Sequence, residues 1–538
     1  MIQNANSRDT GGNTVEAVEG YIPRSRKSQV LLSNFLFGAI RGLAYIAATL
    51  VTVRLLVRDM GIAVFGLLAL TTPFLRYGWS GVFDFGLANA CMRYTGRAFS
   101  EKDVEGINRY VNSSLFISFI AGAVVLSVFV LLRHPLAALI VEKQPQLLAT
   151  ATLILAVTIP TYVLYLAFNP LFGLLGGIHK LQLTHILGTL GFLLEAVGVF
   201  VLDRIGMTVP RLLALYAGIC PVLVIFLLVM AKAGAPYLRL SLRRIDFTSV
   251  MALAKFTSQF SLTSVVGTIL PMYDKFILAS LVGISAVGYY EVAWRIVEWL
   301  KRVPQLFLVP ALPLAADRSM EDPAALKALY ARLLDFTILM STPLFFIVIG
   351  LASPVIHLWT GPGTEMAALA VSILAAVHFC NTLTGPAASI LAGTNRMKHL
   401  IIGTAAMIFL CVVLEPVLAK QAGFPGLLLG SLIGLGVVGG LGFVFYVQYV
   451  YPHLDISMGF SALAWAALAA AFPSTMAHWV FGRGWIAVST PKVILVGIAC
   501  LLTYTLLVSL YRPNRELLRF TAHEFGRTVS RLVDGAAA

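Results

Sequence analysis

The sequence predicts an all-α polytopic membrane protein with about 14 transmembrane helices. The chain of 538 residues is 59% hydrophobic and only 12% charged, whereas about 25% of the residues of an ordinary soluble domain are charged. Apolar stretches long enough to cross a bilayer core of ~30 Å recur along the chain. Lys and Arg residues also gather in alternate connections between these stretches, as the loops of membrane proteins do.

Each apolar stretch is long enough for one membrane-spanning helix when some tilt is allowed. The predicted spans cover residues 29–56, 62–92, 112–132, 148–176, 182–202, 210–231, 256–281, 284–313, 329–353, 365–392, 399–419, 424–450, 459–481 and 491–511.

Basic residues predict the orientation. With the N-terminus inside, and with residues at the ends of spans counted with the adjacent loops, 24 Lys and Arg residues fall on the cytoplasmic side, nine on the outer side and six deeper within spans. This excess favours an even number of spans with both termini in the cytoplasm. The polar first 27 residues end in "RSRK" and lack the apolar core of a signal peptide, so we expect the first span to be kept. The net charge of +14 therefore indicates topology and lipid contacts, and not nucleic acid.

Two short sequence repeats predict an internal duplication. "GIAVFGLLAL" at 61–70 matches "GISAVGYYEV" at 283–292, and "LEAV" at 194–197 matches "LEPV" at 414–417. Both pairs occupy the same place in a six-span block. We expect two six-helix bundles, related by a pseudo-twofold axis along the membrane normal, with a central cavity between them and two extra C-terminal helices.

The repeats and the charges divide the chain into six parts. They are a cytoplasmic tail (1–27), an N-lobe with spans one to six (28–231), a basic linker (232–255), a C-lobe with spans seven to twelve (256–451), the extra helix pair (452–511) and a basic amphipathic tail (512–538). The last tail favours an interfacial helix on anionic lipid, and a solvated basic tail is the alternative.

Charged residues within the spans are the candidate functional residues. Each charge near the bilayer centre costs roughly 2.5–3.5 kcal/mol, so such groups are expected to face a polar cavity or each other. All the cations fall on the first two helices of a half. The cations are Arg41, Arg76, Lys275, Arg295, Lys301 and Arg302, and the acids are Asp84, Glu195, Asp274, Glu291, Glu298 and Glu415.

The eighth span admits two interpretations. Glu291, Arg295, Glu298 and Arg302 follow each other at helical spacings of four, three and four residues, which places alternating charges along one stripe. The stripe is either a self-neutralising ladder or part of the substrate-binding cavity. The candidates for pairing within the cavity or for coupling are Asp84, Asp274, Glu291, Glu298 and Arg302.

Arg41 and Arg76 are the strongest binding candidates, because no acid lies near Arg41 on its own helix and Arg76 has only Asp84. Two guanidinium groups at similar depth suit a diphosphate, whose oxygen pairs accept forked donors. The alternative for Arg41 is a structural partner such as Asp84 or Glu298, and Asp84 itself is expected to orient Arg76 or cap a helix break.

Other motifs give no sign of catalysis or of a cofactor. Gly434, Gly436 and Gly439 spell G-x-G-x-x-G inside an apolar span with no strand before it, which indicates helix packing and not a dinucleotide site. The sequence has no Walker motif, no HExxH and no G-x-S-x-G. We expect no enzyme activity, no metal and no cofactor. His185 and His378 lie in spans, and a hydrogen bond to a backbone carbonyl is favoured over a proton relay.

The stretches "SNFLFGAIRGLAYIAATLVTVRLLVRDMGIAVFGLLAL", "FDFGLANACMRYTGRAFSEKD" and "YDKFILASLVGISAVGYYEVAWRI" resemble the polysaccharide, or O-antigen, flippases of the multidrug/oligosaccharidyl-lipid/polysaccharide exporter superfamily. The resemblance implies alternating access by two helical bundles in a bacterial cytoplasmic membrane. It also implies an undecaprenyl-diphosphate-linked oligosaccharide as substrate, with Arg41, Arg76, Lys275 and Arg295 matching the cationic positions that such relatives use for the diphosphate.

Flipping needs no covalent step, so the expected role of the protein is a wetted polar path for the head group. A proton or sodium ion is compatible with this transport but not required by it. Expected partners are membrane lipids and the glycosyltransferases and polymerase of a polysaccharide pathway. The alternative functions are a cation-coupled multidrug antiporter of the same superfamily and a nontransporting scaffold for polysaccharide assembly.

Overall fold

The computed structural model describes residues 24–75, 86–308, 323–394, 396–451 and 457–510. Within these ranges the chain is helical and contains no strand, which confirms the predicted all-α class. Arg76, Asp84 and the tail 512–538 lie outside the described residues.

The contacts of the described residues divide them into two units. The first contains residues up to Gly61 and residues 67–273, and the second contains residues 62–66 and the chain from Asp274 onward. The first eight helices are α1 (Arg24–Leu75), α2 (Leu87–Ser100), α3 (Val104–Ile140), α4 (Leu148–Phe168), α5 (Pro170–Gly177), α6 (Leu181–Ile205), α7 (Val209–Gly234) and α8 (Phe247–Ile277). The others are α9 (Ile284–Leu308), α10 (Pro323–Thr360), α11 (Glu365–Thr382), α12 (Gly385–Gly393), α13 (Met397–Ser431), α14 (Phe443–Val450), α15 (Ser457–Gly482) and α16 (Thr490–Leu510).

Among the described residues, eight helical segments are long and apolar enough to cross a membrane. They are Val104–Ile140, Pro145–Gly177, Leu181–Ile205, Val209–Gly234, Leu326–Thr360, Glu365–Ala392, Lys398–Val450 and Thr490–Leu510. The segment Lys398–Val450 contains two predicted spans, and Gly423, with φ of 64°, breaks the helix between them.

Gly61 and Gly283, which open the two sequence repeats, share an unusual backbone conformation. Gly61 has φ of 78° and ψ of 162°, and Gly283 has φ of 127° and ψ of 162°. Positive φ is costly for residues with a Cβ atom, so glycine allows the chain to end one helix and start the next within a single residue. The sequence repeat therefore corresponds to a repeated local structure.

A second equivalence joins the fourth predicted span of each half. Both spans break before a proline, giving α4 followed by α5 and α11 followed by α12. Both end in the same turn: the Lys180 amide donates to Leu175 and the Arg396 amide donates to Leu391, each at 2.8 Å. The two turns lie 216 positions apart, close to the offsets of the sequence repeats.

The extra helix pair packs firmly within the second unit. A Cβ atom at Gly350 of α10 would clash with the backbone of Ser474 in α15, so the two helices are in close backbone contact. The Tyr504 hydroxyl of α16 donates to the Leu339 carbonyl of α10 at 3.0 Å. A small apolar core completes the contact with Leu351, Ala477, Phe481, Val493 and Cys500.

Candidate functional site

Three charged side chains converge at the junction of α8 and α9 in the second unit. Lys275, in the last turn of α8, places Nζ 2.6 Å from Oε2 of Glu291, and Nε of Arg295 donates to Oε1 of the same carboxylate at 2.9 Å. Their side chains are only 6%, 1% and 11% exposed for Lys275, Glu291 and Arg295. Burial of this kind is tolerated because each charge has a partner.

Two buried carboxyl groups adjoin this ion triad. Tyr290 donates to Oδ2 of Asp274 at 2.5 Å, and Ser431 donates to Oε1 of Glu415 at 2.9 Å. The carboxyl groups of Asp274 and Glu415 lie within hydrogen-bonding reach of each other, although they come from α8 and α13. We call Asp274, Lys275, Glu291, Arg295 and Glu415 the buried charge cluster.

The charge of this cluster depends on the protons that the two carboxyl groups hold. Lys275 and Arg295 are cations and Glu291 is an anion, so the cluster is neutral when Asp274 and Glu415 share one proton. In the described part of the chain, no hydrogen-bond donor reaches Asp274 Oδ1 or Glu415 Oε2. A proton on one carboxyl group would supply the donor that the other lacks, and two neighbouring carboxylates disfavour full ionisation of both.

Farther along α9 the same charge stripe becomes exposed. Nη2 of Arg302 donates to Oε1 of Glu298 at 2.8 Å, with side chains 48% and 19% exposed. The two pairs predicted at a four-residue spacing, Glu291 with Arg295 and Glu298 with Arg302, therefore both form. Lys275 is a second cation that contacts Glu291. Lys301 lies over the Trp294 ring, with Nζ 5.0 Å from the centroid, and the Arg295 guanidinium lies 5.8 Å from the Phe65 centroid.

Arg41 lines a small pocket within the first unit. Its guanidinium packs on α6 at Gly188, where an added Cβ atom would lie 2.6 Å from Nε. Tyr165, Phe172 and Thr184 also line the pocket. The Arg41 residue itself is partly exposed. Glycine at position 188 thus makes the space that the guanidinium occupies.

The structure therefore brings Lys275 and Arg295 together on one carboxylate and places Arg41 in a separate pocket of the first unit. His378 is buried, and neither of its ring nitrogens has a hydrogen-bond partner among the described residues. The expected bond from His378 to a backbone carbonyl is therefore wrong; its ring instead meets the edge of Trp294, with centroids 5.2 Å apart.

Sequence reasoning missed Tyr290, Ser431 and Gly188, and it gave no role to Glu415. The hydroxyl groups carry no spacing signal, because their partners are distant in sequence. Glu415 had a usable signal, since its "LEPV" motif repeats the "LEAV" of Glu195. Glu195 is half-buried in the first unit and accepts a hydrogen bond from the Tyr216 hydroxyl at 3.3 Å. Within the described ranges, no three His, Cys, Asp or Glu side chains form a metal site.

Comparisons with known proteins agree with this architecture. Residues 39–201 match the MatE family model. The probable low-salt glycan biosynthesis flippase Agl15 of Haloferax volcanii is 22% identical over 286 residues, which cover 53% of this chain and 59% of that relative. The chain thus spans less than two thirds of the length of this curated relative.

Two solved structures share the fold over nearly their whole length. An inward-facing multidrug resistance MATE family transporter of the MOP superfamily has a TM-score of 0.63 at 17% identity, covering 78% of this chain and 99% of that one. The lipid II flippase MurJ, in an inward closed conformation, has a TM-score of 0.62 at 16% identity, covering 90% of this chain and 100% of that one. At these identities the two structures show that the chain shares their fold, and the MatE match covers part of the first unit.

Proposed function

We propose that the chain is a flippase that moves an undecaprenyl-diphosphate-linked oligosaccharide from the inner to the outer leaflet of a bacterial cytoplasmic membrane, for surface polysaccharide assembly. The MatE match and the fold shared with the two solved structures support transport and not catalysis. The curated relative is itself described as a probable glycan biosynthesis flippase. Alternating access by the two lobes, with both termini cytoplasmic, belongs to the same proposal.

The Arg41 pocket is the observation that carries the choice of an anionic cargo. Arg41 lines this pocket with Tyr165 and Thr184, and a guanidinium group is the forked donor that phosphate oxygens accept. A transporter for cationic drugs would instead present carboxylates and aromatic faces. We therefore assign Arg41 to the diphosphate, together with Arg76, Lys275 and Arg295.

The buried charge cluster supplies a means of coupling. Its net charge is +1 with both carboxyl groups protonated, zero with one proton and −1 with none. Uptake of the second proton therefore strengthens attraction for a diphosphate, and its release favours departure of the cargo. An inside-negative membrane potential also drives an anionic head group outward, by roughly 2.3 kcal/mol per charge for 100 mV. Proton coupling at Asp274 and Glu415 is thus part of the proposal, with sodium as the competing ion.

The test is reconstitution in lipid vesicles with a fluorescent sugar linked to undecaprenyl diphosphate. We expect Arg41→Gln to slow translocation by about 10- to 100-fold, because a charge-assisted hydrogen bond contributes about 1.5–3 kcal/mol. Arg133→Gln, which removes an exposed arginine of α3, is the matched control and should keep the wild-type rate.

Two outcomes would count against the proposal. Wild-type rates in Arg41→Gln would remove the diphosphate assignment. Export of organic cations by the wild-type protein, without movement of the lipid-linked sugar, would favour the multidrug antiporter. A chain that moves neither cargo, but is still required for polysaccharide assembly in cells, would act as the scaffold that recruits glycosyltransferases and polymerase.

A further inference from the structure

A cavity of about 240 Å³ lies within the second unit, where α10 and α15 end and α11 begins. It has no place in the transport site described above. Its polar lining comes from all three of these helical ends, and its apolar lining comes from α10 and from the region of the extra helix pair. The lining includes His357, Thr364, Glu365, His478, Phe481 and Val488.

The wall contributed by the extra helix pair is a fixed part of the unit. Phe481 belongs to the apolar core that holds α15 and α16 against α10, together with Leu351 and Cys500. Trp479 and Trp485 pack edge to face beside this end of α15, with ring centroids 4.3 Å apart. The end of α15 and the connection to α16 therefore supply one wall of the cavity.

The chemistry of the lining selects the class of ligand. Glu365 offers carboxylate acceptors, while His357 and His478 offer both a donor and an acceptor in their neutral forms. All three side chains are exposed at the cavity, whereas Phe481 is buried behind it. Among the described residues that line the cavity there is no Lys or Arg, the side chains on which phosphate recognition usually depends. The set of acceptors and donors on an apolar wall suits a polyhydroxyl ring.

The size of the cavity limits the ligand further. Pockets for drug-sized molecules enclose roughly 300–1,000 Å³, so a cavity of about 240 Å³ takes one small ring and not a chain of several. The excess of basic residues on the other side of the membrane assigns this end of α10 and α15 to the outer face. A ligand in this cavity would therefore bind to the protein after it has crossed the membrane.

We propose that this cavity is an outer-face binding site for a single uncharged sugar unit, and that the extra helix pair serves to build it. The proposal rests on the proposed flippase function, because it takes the sugar to be part of the translocated oligosaccharide. Binding there would hold the emerged glycan at the exit and slow its return.

The experiment is saturation-transfer NMR on the full chain in lipid nanodiscs, free of glycoside detergents. The probes are the methyl glycosides of glucose, galactose, mannose, rhamnose and N-acetylglucosamine, with glycerol 3-phosphate as a probe for lipid head groups. We expect saturable transfer to at least one glycoside. Glu365→Gln and His478→Ala should each weaken that binding by about tenfold, as expected for the loss of one hydrogen bond in a site of this kind.

Met476→Ala is the matched control, since Met476 is exposed on α15 and does not line the cavity. It should bind the glycoside as the wild type does. The absence of transfer to every glycoside, equal binding in all variants, or transfer to glycerol 3-phosphate alone would each overturn the proposal.

Failure of this proposal is separable from failure of the flippase proposal. Wild-type translocation of the lipid-linked sugar without glycoside binding would refute the cavity site alone. Glycoside binding that is lost in Glu365→Gln, in a protein that moves no lipid-linked sugar, would refute the flippase function and support a sugar site with another use.

Discussion

Gly66 and Gly288 occupy equivalent positions in a reciprocal helix crossing. A Cβ atom at Gly66 would clash with the carbonyl oxygen of Ile284, and a Cβ atom at Gly288 would clash with the carbonyl oxygen of Ile62. Gly66 lies 222 positions before Gly288, and Ile62 lies 222 positions before Ile284. Within the second unit, the two sequence repeats thus pack on each other through matching contacts, as a local twofold relation produces.

The first prediction follows from this close approach. Gly66→Ala and Gly288→Ala should each lower stability by about 1–3 kcal/mol, the usual cost of overpacking. Because one small separation of the helices relieves both clashes, the double variant should lose less than the sum of the single losses. Thermal unfolding in nanodiscs, followed by tryptophan fluorescence, measures these changes. Gly42→Ala is the control, since nothing lies within 4 Å of its added Cβ atom; strictly additive losses would contradict the reciprocal contact.

The second prediction concerns the shared carboxylate of the ion triad. Glu291→Gln leaves Lys275 and Arg295 buried without their common partner, so it should destabilise the protein by about 3–5 kcal/mol. Glu298→Gln on the same helix removes an equivalent four-residue pair whose arginine side chain is 48% exposed. That change should cost no more than about 1 kcal/mol. Equal melting temperatures for the two variants would show that burial of the triad does not control stability.

The sequence sufficed for the helical class, because hydrophobic length is a local signal. It also identified Gly61 and Gly283 as equivalent through their motifs. Only part of the candidate site could be predicted from the sequence. The spacing of Glu291 and Arg295 predicts their pair, but no spacing predicts that Lys275 joins them or that Asp274 meets Glu415 from another helix. Those contacts depend on how α8, α9 and α13 pack, which single-helix periodicity does not specify.

The third prediction tests coupling at the carboxyl pair. Asp274→Asn combined with Glu415→Gln removes both sites of the shared proton, so the buried charge cluster keeps a net charge of +1 from Lys275, Glu291 and Arg295. An imposed pH gradient should accelerate translocation by the wild type several-fold and should leave the variant unaffected. The titratable and charged groups around the pair are Lys275 on α8, Tyr290, Glu291 and Arg295 on α9, and Cys411 on α13.

Glu195→Gln serves as the control for this experiment, because Glu195 holds the corresponding "LEAV" position of the first half. It should retain the response to the gradient. The same vesicles with sodium replaced by N-methylglucamine separate the two coupling ions. A gradient response that survives in the double variant Asp274→Asn/Glu415→Gln, or one that follows sodium and not protons, would contradict proton coupling at this pair.

The last prediction concerns the placement of Arg41 by a residue that carries no charge. An added Cβ atom at Gly188 would lie 2.6 Å from Nε and 3.0 Å from Cζ of Arg41, so Gly188→Ala must displace the guanidinium. If Arg41 holds the diphosphate, this displacement should raise the KM for the lipid-linked sugar by about tenfold, the effect of losing roughly 1.4 kcal/mol of binding.

Gly42→Ala is the control, because it changes the residue next to Arg41 and its added Cβ atom has nothing within 4 Å. It should leave the KM unchanged. Arg41→Lys in the Gly188→Ala background should recover part of the affinity, because the shorter ammonium head fits beside a methyl group. A purely structural glycine would show a lower melting temperature with an unaltered KM, and that result would remove Arg41 from the binding site.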